Sequence, residues 1–401
     1  MLRRVFKAFH YRDFRLLWVG ACTSSIGTWM QKLAQSWLVL QISGSPFLLG
    51  LDAFLGEIPI FLFSLLGGVI ADRMDRRYLL LVSQVVQMSC AFLLAALIAL
   101  DLVRVWHILT LSFVVGTAQA FGGPAYQALV PSLVKPEDLA NAIAWNSIQF
   151  NLARVVGPVL GGLALTQLGA AWCFGLNGVS YLAVIVSLLM LRTRFVPQTS
   201  GTSLVASMRQ GIHFIRRRSP MESLILLAFL MTVLAVPLIV FLPVFVTDVF
   251  RKGPSTYTLL LSVSGAGSVM GALIVAALGN IRHKGRTALV MLILLGLGIV
   301  AFALSTSVAL SCVLLLFCGV ALIAVFSLVT SLVQLITVDE MRGRVMSVYN
   351  VAFRGGMPIG SLLTGSLVPV FSAPAVLAFN GLALVALGTY FLLLHRRVAD
   401  L

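Results

Sequence analysis

The chain has 401 residues, of which 60% are hydrophobic and only 10% charged, and its formal net charge is +15. A soluble domain carries about 25% charged residues, so a water-soluble globule is excluded and lipid must be the solvent for most of the chain. The basic residues lie between apolar runs rather than on one soluble face, which excludes a nucleic-acid surface and marks a topology signal instead.

In chain order the apolar runs predict twelve transmembrane spans, at 15–41, 46–71, 78–100, 105–130, 140–168, 172–192, 222–247, 257–280, 287–305, 308–335, 346–370 and 374–394. The basic N-terminus (Arg3, Arg4, Lys7, Arg12, Arg15) precedes a run too long for the apolar part of a signal peptide, so that run is read as a retained first helix. Of the 28 Lys and Arg residues, 22 fall on one side of the alternating path. Three fall on the other side (Arg104, Arg251, Lys252) and three lie inside spans (Lys32, Arg154, Arg354). The asymmetry predicts a multi-pass protein of the bacterial inner membrane with both termini in the cytoplasm.

Three segments follow: a six-helix bundle over 1–193, a cytoplasmic linker over 194–220, and a second six-helix bundle over 221–401. The linker holds Pro197 and Gly201, then Leu204, Met208, Ile212 and Ile215 at helical spacing, with Arg209 and Arg216 to Arg218 beside them. That pattern predicts a basic amphipathic helix lying on the inner leaflet. A shift of 203 residues superposes Glu137 on Glu340, Gly157 on Gly360, Gly162 on Gly365 and Asn177-Gly178 on Asn380-Gly381. Such a six-plus-six repeat is a common transporter plan, with the substrate site near the membrane midplane.

The motif with most information closes the second span: Gly67-Gly68-Val69-Ile70-Ala71-Asp72-Arg73-Met74-Asp75-Arg76-Arg77. Its glycines permit close helix approach, Asp72 suits a helix N-terminus or a cation, and the arginines hold the interface. Gly279-Asn280-Ile281-Arg282-His283-Lys284-Gly285-Arg286 forms a degenerate second copy without the acidic residue. In the fifth span, Gly157 and Gly161 make a GxxxG face beside Gly162, and Pro158 interrupts the backbone hydrogen bonding. The eleventh span carries a looser version, Arg354-Gly355-Gly356-Met357-Pro358-Ile359-Gly360.

The loop after the second span resembles the signature loop of the major facilitator superfamily, with Asp75 where that signature has a glycine. The Asn151 to Gly162 stretch resembles the helix-five motif of its antiporters. The first span (Gly27 to Gln31, Ala34 to Leu40, Gly44-Ser45-Pro46), Asn151 to Gly162 and Arg342 to Ser347 resemble the transmembrane secretion effector branch, which includes enterobactin-exporter-like proteins. The resemblance implies a major facilitator fold and proton-driven export of a small organic molecule, siderophore- or drug-like. It also implies a central cavity lined by helices one, four, seven and ten. The polar candidates there are Gln31, Gln35, Gln119, Tyr126, Thr232, Thr330 and Gln334. One departure is that the fourth span holds no arginine, unlike many drug:proton antiporters.

Ionisable groups inside the bilayer are functional candidates by default. Glu57 lies about 22 Å along its helix from Asp72, with Arg354 expected as its partner and Arg154 as the alternative. Lys32 and Asp52 are expected near the outer edges of their helices, either paired with each other or snorkelling. Asp72 is expected to close an inner gate with the N-terminus of helix eleven, Arg342 or Arg344.

The five cysteines fall in apolar runs without metal-ligand spacing, and the five histidines lie in loops or near span ends. Neither pattern supports a disulfide, a metal, a cofactor or an enzyme. The sequence thus predicts a monomeric, proton-coupled exporter of a hydrophobic or amphipathic molecule. The alternatives are a lipid flippase on the same fold and a transport-dead membrane sensor.

Overall fold

The computed structural model describes residues 6–192, 204–279, 282–394 and 398–400; the side chains of Leu65, Val69, Asp72, 204–208 and Ser219 lie outside that description. So do Arg3, Arg4, the linker stretch 194–203, Asn280, Ile281 and His395 to Arg397. Among the described residues there are helices and no strands.

Twelve long helical segments follow the predicted order. Helix one is Arg12–Ser43, two Pro46–Arg73, three Arg76–Ala99, four Val105–Leu129, five Leu139–Gln167 and six Ala170–Met190. The linker helix is Leu204–Arg216. Helix seven begins as Ser219–Ala235 and continues in short pieces to Val249. Helices eight to twelve are Pro254–Leu278, Lys284–Leu304, Val308–Leu335, Asp339–Phe371 and Ala373–Thr389.

Ten of these are long and apolar enough to cross a membrane. Helices one and eleven are the polar exceptions, with Gln31, Lys32 and Gln35 in one and Arg342, Arg344 and Arg354 in the other. Their 32 and 33 residues span about 50 Å, ample for a hydrocarbon core of about 30 Å. In lipid every backbone group must be bonded within the protein, and many of the described Ser and Thr hydroxyls donate to carbonyls of their own helix, as Thr28 does to Ser24 O and Thr330 to Phe326 O.

The ends of these helices are set by local chemistry. Helix one stops at Gly44, which takes φ 61° and donates its N–H to the Leu40 carbonyl, a left-handed cap open to glycine. Ser45 then accepts from the Leu48 amide, and Pro46 opens helix two, where its missing N–H costs nothing. Asp75 caps helix three by accepting from the Arg77 amide at 2.9 Å. The residue that departs from the signature's glycine therefore starts a helix.

Helix seven differs from the single span expected over 222–247. Pro237 and Pro243 each remove a backbone donor, and the helix ends in a π turn, Phe245–Val249. Phe241, Leu242, Val244, Phe245 and Val246 are fully buried, which is where broken backbone is tolerated in a membrane protein.

By contacts the chain divides into two compact units: Met1–Gly44 with Leu55–Gly201, and Ser45–Phe54 with Thr202–Leu401. The two units use the same helix neighbours. Helix one packs on helix five, and helix three on four and six; in the second unit, seven packs on eleven, and nine on ten and twelve. Glycines set the closest approaches. A Cβ at Gly157 would overlap Trp29 Cβ and lie 2.8 Å from the Ile26 carbonyl oxygen, and one at Gly161 would lie 2.9 Å from Met30 Cα. In the second unit Gly356 and Gly360 meet the Phe229 and Val233 carbonyls of helix seven in the same way.

The linker helix packs on helix eleven. Gly211 sits against the Arg344 carbonyl and Val348, and Ile215 is buried. Ile212, expected on that apolar face, points away and is exposed.

Candidate functional site

Helices one and two run antiparallel about the two-residue turn at Gly44 and Ser45. Lys32 stands 11 residues before Ser43 and Glu57 stands 11 residues after Pro46, so both lie about 16 Å from the turn. Lys32 Nζ and Glu57 Oε1 are 3.7 Å apart. Lys32 was expected near a helix edge, paired with Asp52 or snorkelling; the ion pair it makes here is with Glu57, which stands as far from the turn on helix two as Lys32 does on helix one. Asp52 is five residues nearer the turn and is buried.

The Trp29 ring joins the pair to helix five. Lys32 Nζ lies 5.5 Å from the ring centroid and the Arg154 guanidinium 5.6 Å from it, within reach of cation–π attraction. Gly157, one turn beyond Arg154, lets helix five approach Trp29 this closely. The first unit thus gathers two cations, one carboxylate and an indole from three helices. Lys32 remains 57% exposed and Glu57 27% exposed, so the pair is open to water or a ligand. Arg354 lies exposed on helix eleven in the second unit.

A polar network adjoins this cluster. Asn177 of helix six, 1% exposed, donates to Gln31 at 2.6 Å. Gln31 faces Gln35, and Gln35 donates to Ser112 of helix four at 2.9 Å. Nearer the N-terminal end of helix one, Tyr126 donates to Asn146 at 2.6 Å and Gln149 donates to Ser25 at 2.6 Å. Of the expected cavity residues, Gln31, Gln35 and Tyr126 are members of these networks. Gln119 and Gln334 are exposed. Thr232 is buried and bonds the Ala228 and Phe229 carbonyls of its own helix. Thr330 bonds Tyr349 at 2.8 Å, and Phe326 and Phe353 pack beside them with ring centroids 4.6 Å apart. Asn146, Gln149 and Asn177 were not among the predicted residues. Their amides inside apolar runs were the available signal, since buried amides need partners.

The signature loop has a different geometry from its expectation in two respects. Gly67, rather than Gly68, makes the close approach, against the Ala120 carbonyl of helix four; a Cβ at Gly68 meets nothing within 4 Å. Arg77 donates to the Leu189 and Leu191 carbonyls at 2.8 and 3.1 Å, and Arg76 donates to the Ala71 and Ala128 carbonyls. Both arginines thereby cap the C-terminal ends of neighbouring helices within their own unit. Arg73 is exposed, and Arg342 pairs with Asp339 one turn away on helix eleven. The Asp72 side chain is outside the described residues.

The N-terminal end of the first unit is closed by a further cluster. Tyr11 donates to Asp138 at 2.9 Å, Lys7 pairs with Asp138, and Trp18 donates to the Trp145 carbonyl. The bond to the Asp138 carboxylate raises the Tyr11 hydroxyl above its usual value. Among the described residues no three His, Cys, Asp or Glu side chains converge as metal ligands would.

The profile of the transmembrane secretion effector family matches residues 5–400. The chain belongs to that family. It is a major facilitator transporter and not an enzyme. It is 25% identical to the multidrug efflux pump Tap of Mycolicibacterium fortuitum, across 95% of both chains. It is 26% identical to the enterobactin exporter EntS of Shigella boydii, across 95% of this chain and 91% of that one. The staphyloferrin A transporter of Staphylococcus aureus is 21% identical, with 93% and 94% covered. Among solved structures, a POT family transporter in complex with a thioalcohol-conjugated peptide aligns with a TM-score of 0.78 at 12% identity, covering 96% of both chains. A bacterial homologue of the human lysosomal transporter Spinster aligns with a TM-score of 0.72 at 15% identity, covering 96% and 95%. These structural likenesses establish the fold.

Proposed function

We propose that this transporter is a proton-coupled exporter of a small hydrophobic or amphipathic organic molecule, working by alternating access as a monomeric antiporter. It sits in the bacterial inner membrane with both termini in the cytoplasm. The observation that carries the reading is the Lys32–Glu57 pair, a carboxylate and an ammonium held 3.7 Å apart about 16 Å from the turn that joins two membrane helices. Ionisable groups inside membrane helices are rare and mark functional positions. Protonating Glu57 would remove its attraction for Lys32 and change the net charge of this site. The relatives named as exporters of a siderophore or of drugs support the direction of transport, and the 22-to-3 distribution of Lys and Arg supports the orientation.

The test is transport in proteoliposomes with an imposed pH gradient, using fluorescent amphipathic dyes and antibiotics as probes. Glu57→Gln is expected to abolish uphill transport while keeping probe binding and gradient-free exchange. Full proton-driven transport by that variant would remove Glu57 from the coupling mechanism.

A further inference from the structure

We propose that the outward face of the linker helix is a docking site for the headgroups of anionic phospholipids. This rests on the fold and on the placement of four side chains, and is independent of how transport is coupled. Arg209, His213, Arg216 and Arg217 are all exposed and lie on one side of Leu204–Arg216 and its last turn. The helix contains no Asp or Glu. Its opposite side, with Gly211 and Ile215, is committed to helix eleven. Arg218 is also engaged, stacked 4.7 Å over Phe214 and donating to the Ile336 carbonyl at the end of helix ten. Of the acids in the helix ends that neighbour it in sequence or packing, Asp339 is paired with Arg342, and Glu222 and Glu340 are exposed.

Depth selects the partner. Helix eleven is 33 residues long, so with a hydrocarbon core of about 30 Å, about 10 Å of it remains at each end for the headgroup layer. The linker helix is seated at Arg344 and Val348, about 8–14 Å along helix eleven from Asp339. The seat therefore straddles the boundary between headgroup layer and hydrocarbon, from which long arginine side chains reach the lipid phosphates. A helix that inserts into the interface uses its apolar face; here that face is occupied by protein, so the contact is made through charge. Because Gly211 has room only for its own hydrogen against the Arg344 carbonyl, a headgroup that holds the linker helix also holds the first turns of helix eleven.

The experiment measures hydrogen exchange of the 209–217 amides in nanodiscs of phosphatidylcholine alone and in nanodiscs carrying about a third phosphatidylglycerol. Each arginine near an anionic surface contributes about a fivefold preference, so three together contribute about 100-fold. Protection is expected to rise with phosphatidylglycerol and to fall back in about 1 M salt, where the screening length is about 3 Å. It is expected to be absent in the triple variant Arg209→Gln, Arg216→Gln, Arg217→Gln. That variant keeps Gly211, Ile215 and Arg218, so its thermal unfolding in phosphatidylcholine should match the parent. A Gly211→Leu variant serves as the converse control, keeping the arginines but losing the seat on helix eleven. Equal protection in the two lipid compositions overturns the proposal. So does equal protection from millimolar inorganic phosphate in phosphatidylcholine discs, which identifies a simple anion site. Protection by an acidic polypeptide but not by phosphatidylglycerol overturns it in favour of a protein partner.

Discussion

Replacing Gly157 by alanine tests whether the contact between helices one and five is as close as the structure has it. The new methyl would overlap Trp29 Cβ and stand 2.8 Å from the Ile26 carbonyl and 3.3 Å from the Met30 amide nitrogen. None of these atoms can rotate away, since all belong to the backbone or lie one bond from it. Relief requires the helices to part by about 1 Å, and such overpacking costs about 1–3 kcal/mol. One turn along, Gly161 already touches Met30 Cα and its carbonyl, so parting at Gly157 also loosens that contact. At about 2 kcal/mol the folded-to-unfolded ratio falls about 30-fold. The assay is denaturation in detergent, read alongside Gly68→Ala, where nothing lies within 4 Å of the added methyl. Gly68→Ala should be neutral or gain up to about 1 kcal/mol of helix propensity. Trp29 fluorescence should also change in Gly157→Ala, because the ring is held between Lys32 and Arg154. If Gly157→Ala proves as stable as Gly68→Ala, the close packing of helices one and five is refuted.

Arg77→Ala removes both hydrogen bonds at the end of helix six and should cost about 1–2 kcal/mol; amide exchange over 186–192 should quicken, and Arg77→Lys should restore little because an ammonium lacks the two-pronged geometry. Asn177→Leu takes the donor from Gln31 and should destabilise by about 1–3 kcal/mol, measured by the same denaturation, with a smaller effect for the exposed Gln119→Leu. Reporter fusions after Leu401 and within 195–220 should both report cytoplasm; a periplasmic signal from either contradicts the proposed orientation.

Periodicity and hydropathy were sufficient to read the twelve helices, because a bilayer demands about 20 apolar residues per crossing. The GxxxG face of helix five was legible for the same reason: only small residues permit backbone contact in lipid. Helix seven was harder. Pro237 and Pro243 were visible, but whether a proline bends or breaks a helix depends on whether protein covers the freed carbonyls. The linker helix was misread at Ile212, since spacing alone cannot say which of two faces meets a neighbour. The Lys32–Glu57 pair was missed because each residue was placed by its own helix boundary, which is uncertain by several residues. Gly44-Ser45-Pro46 held a better signal. A glycine cap followed by a proline start defines the turn to the residue, and counting 12 positions outward from Gly44 and Ser45 reaches Lys32 and Glu57. Asp75 departs from the signature's glycine, yet an Asp that accepts from the amide two residues on is an ordinary helix start.

The turn at Gly44 and Ser45 also works as a ruler. One residue inserted so that it continued helix two, rather than bulging from the loop, would rotate the rest of that helix by about 100° and advance it by about 1.5 Å. Gly56 would then occupy the place of Glu57, with no side chain to offer Lys32, and Gly67 would no longer face the Ala120 carbonyl. Loops between helices ordinarily tolerate changes of length better than the helices they join. Here a change of length that passes into helix two moves Glu57 away from Lys32, so descendants of this chain that keep the pair must absorb any insertion in the turn itself or change both arms together.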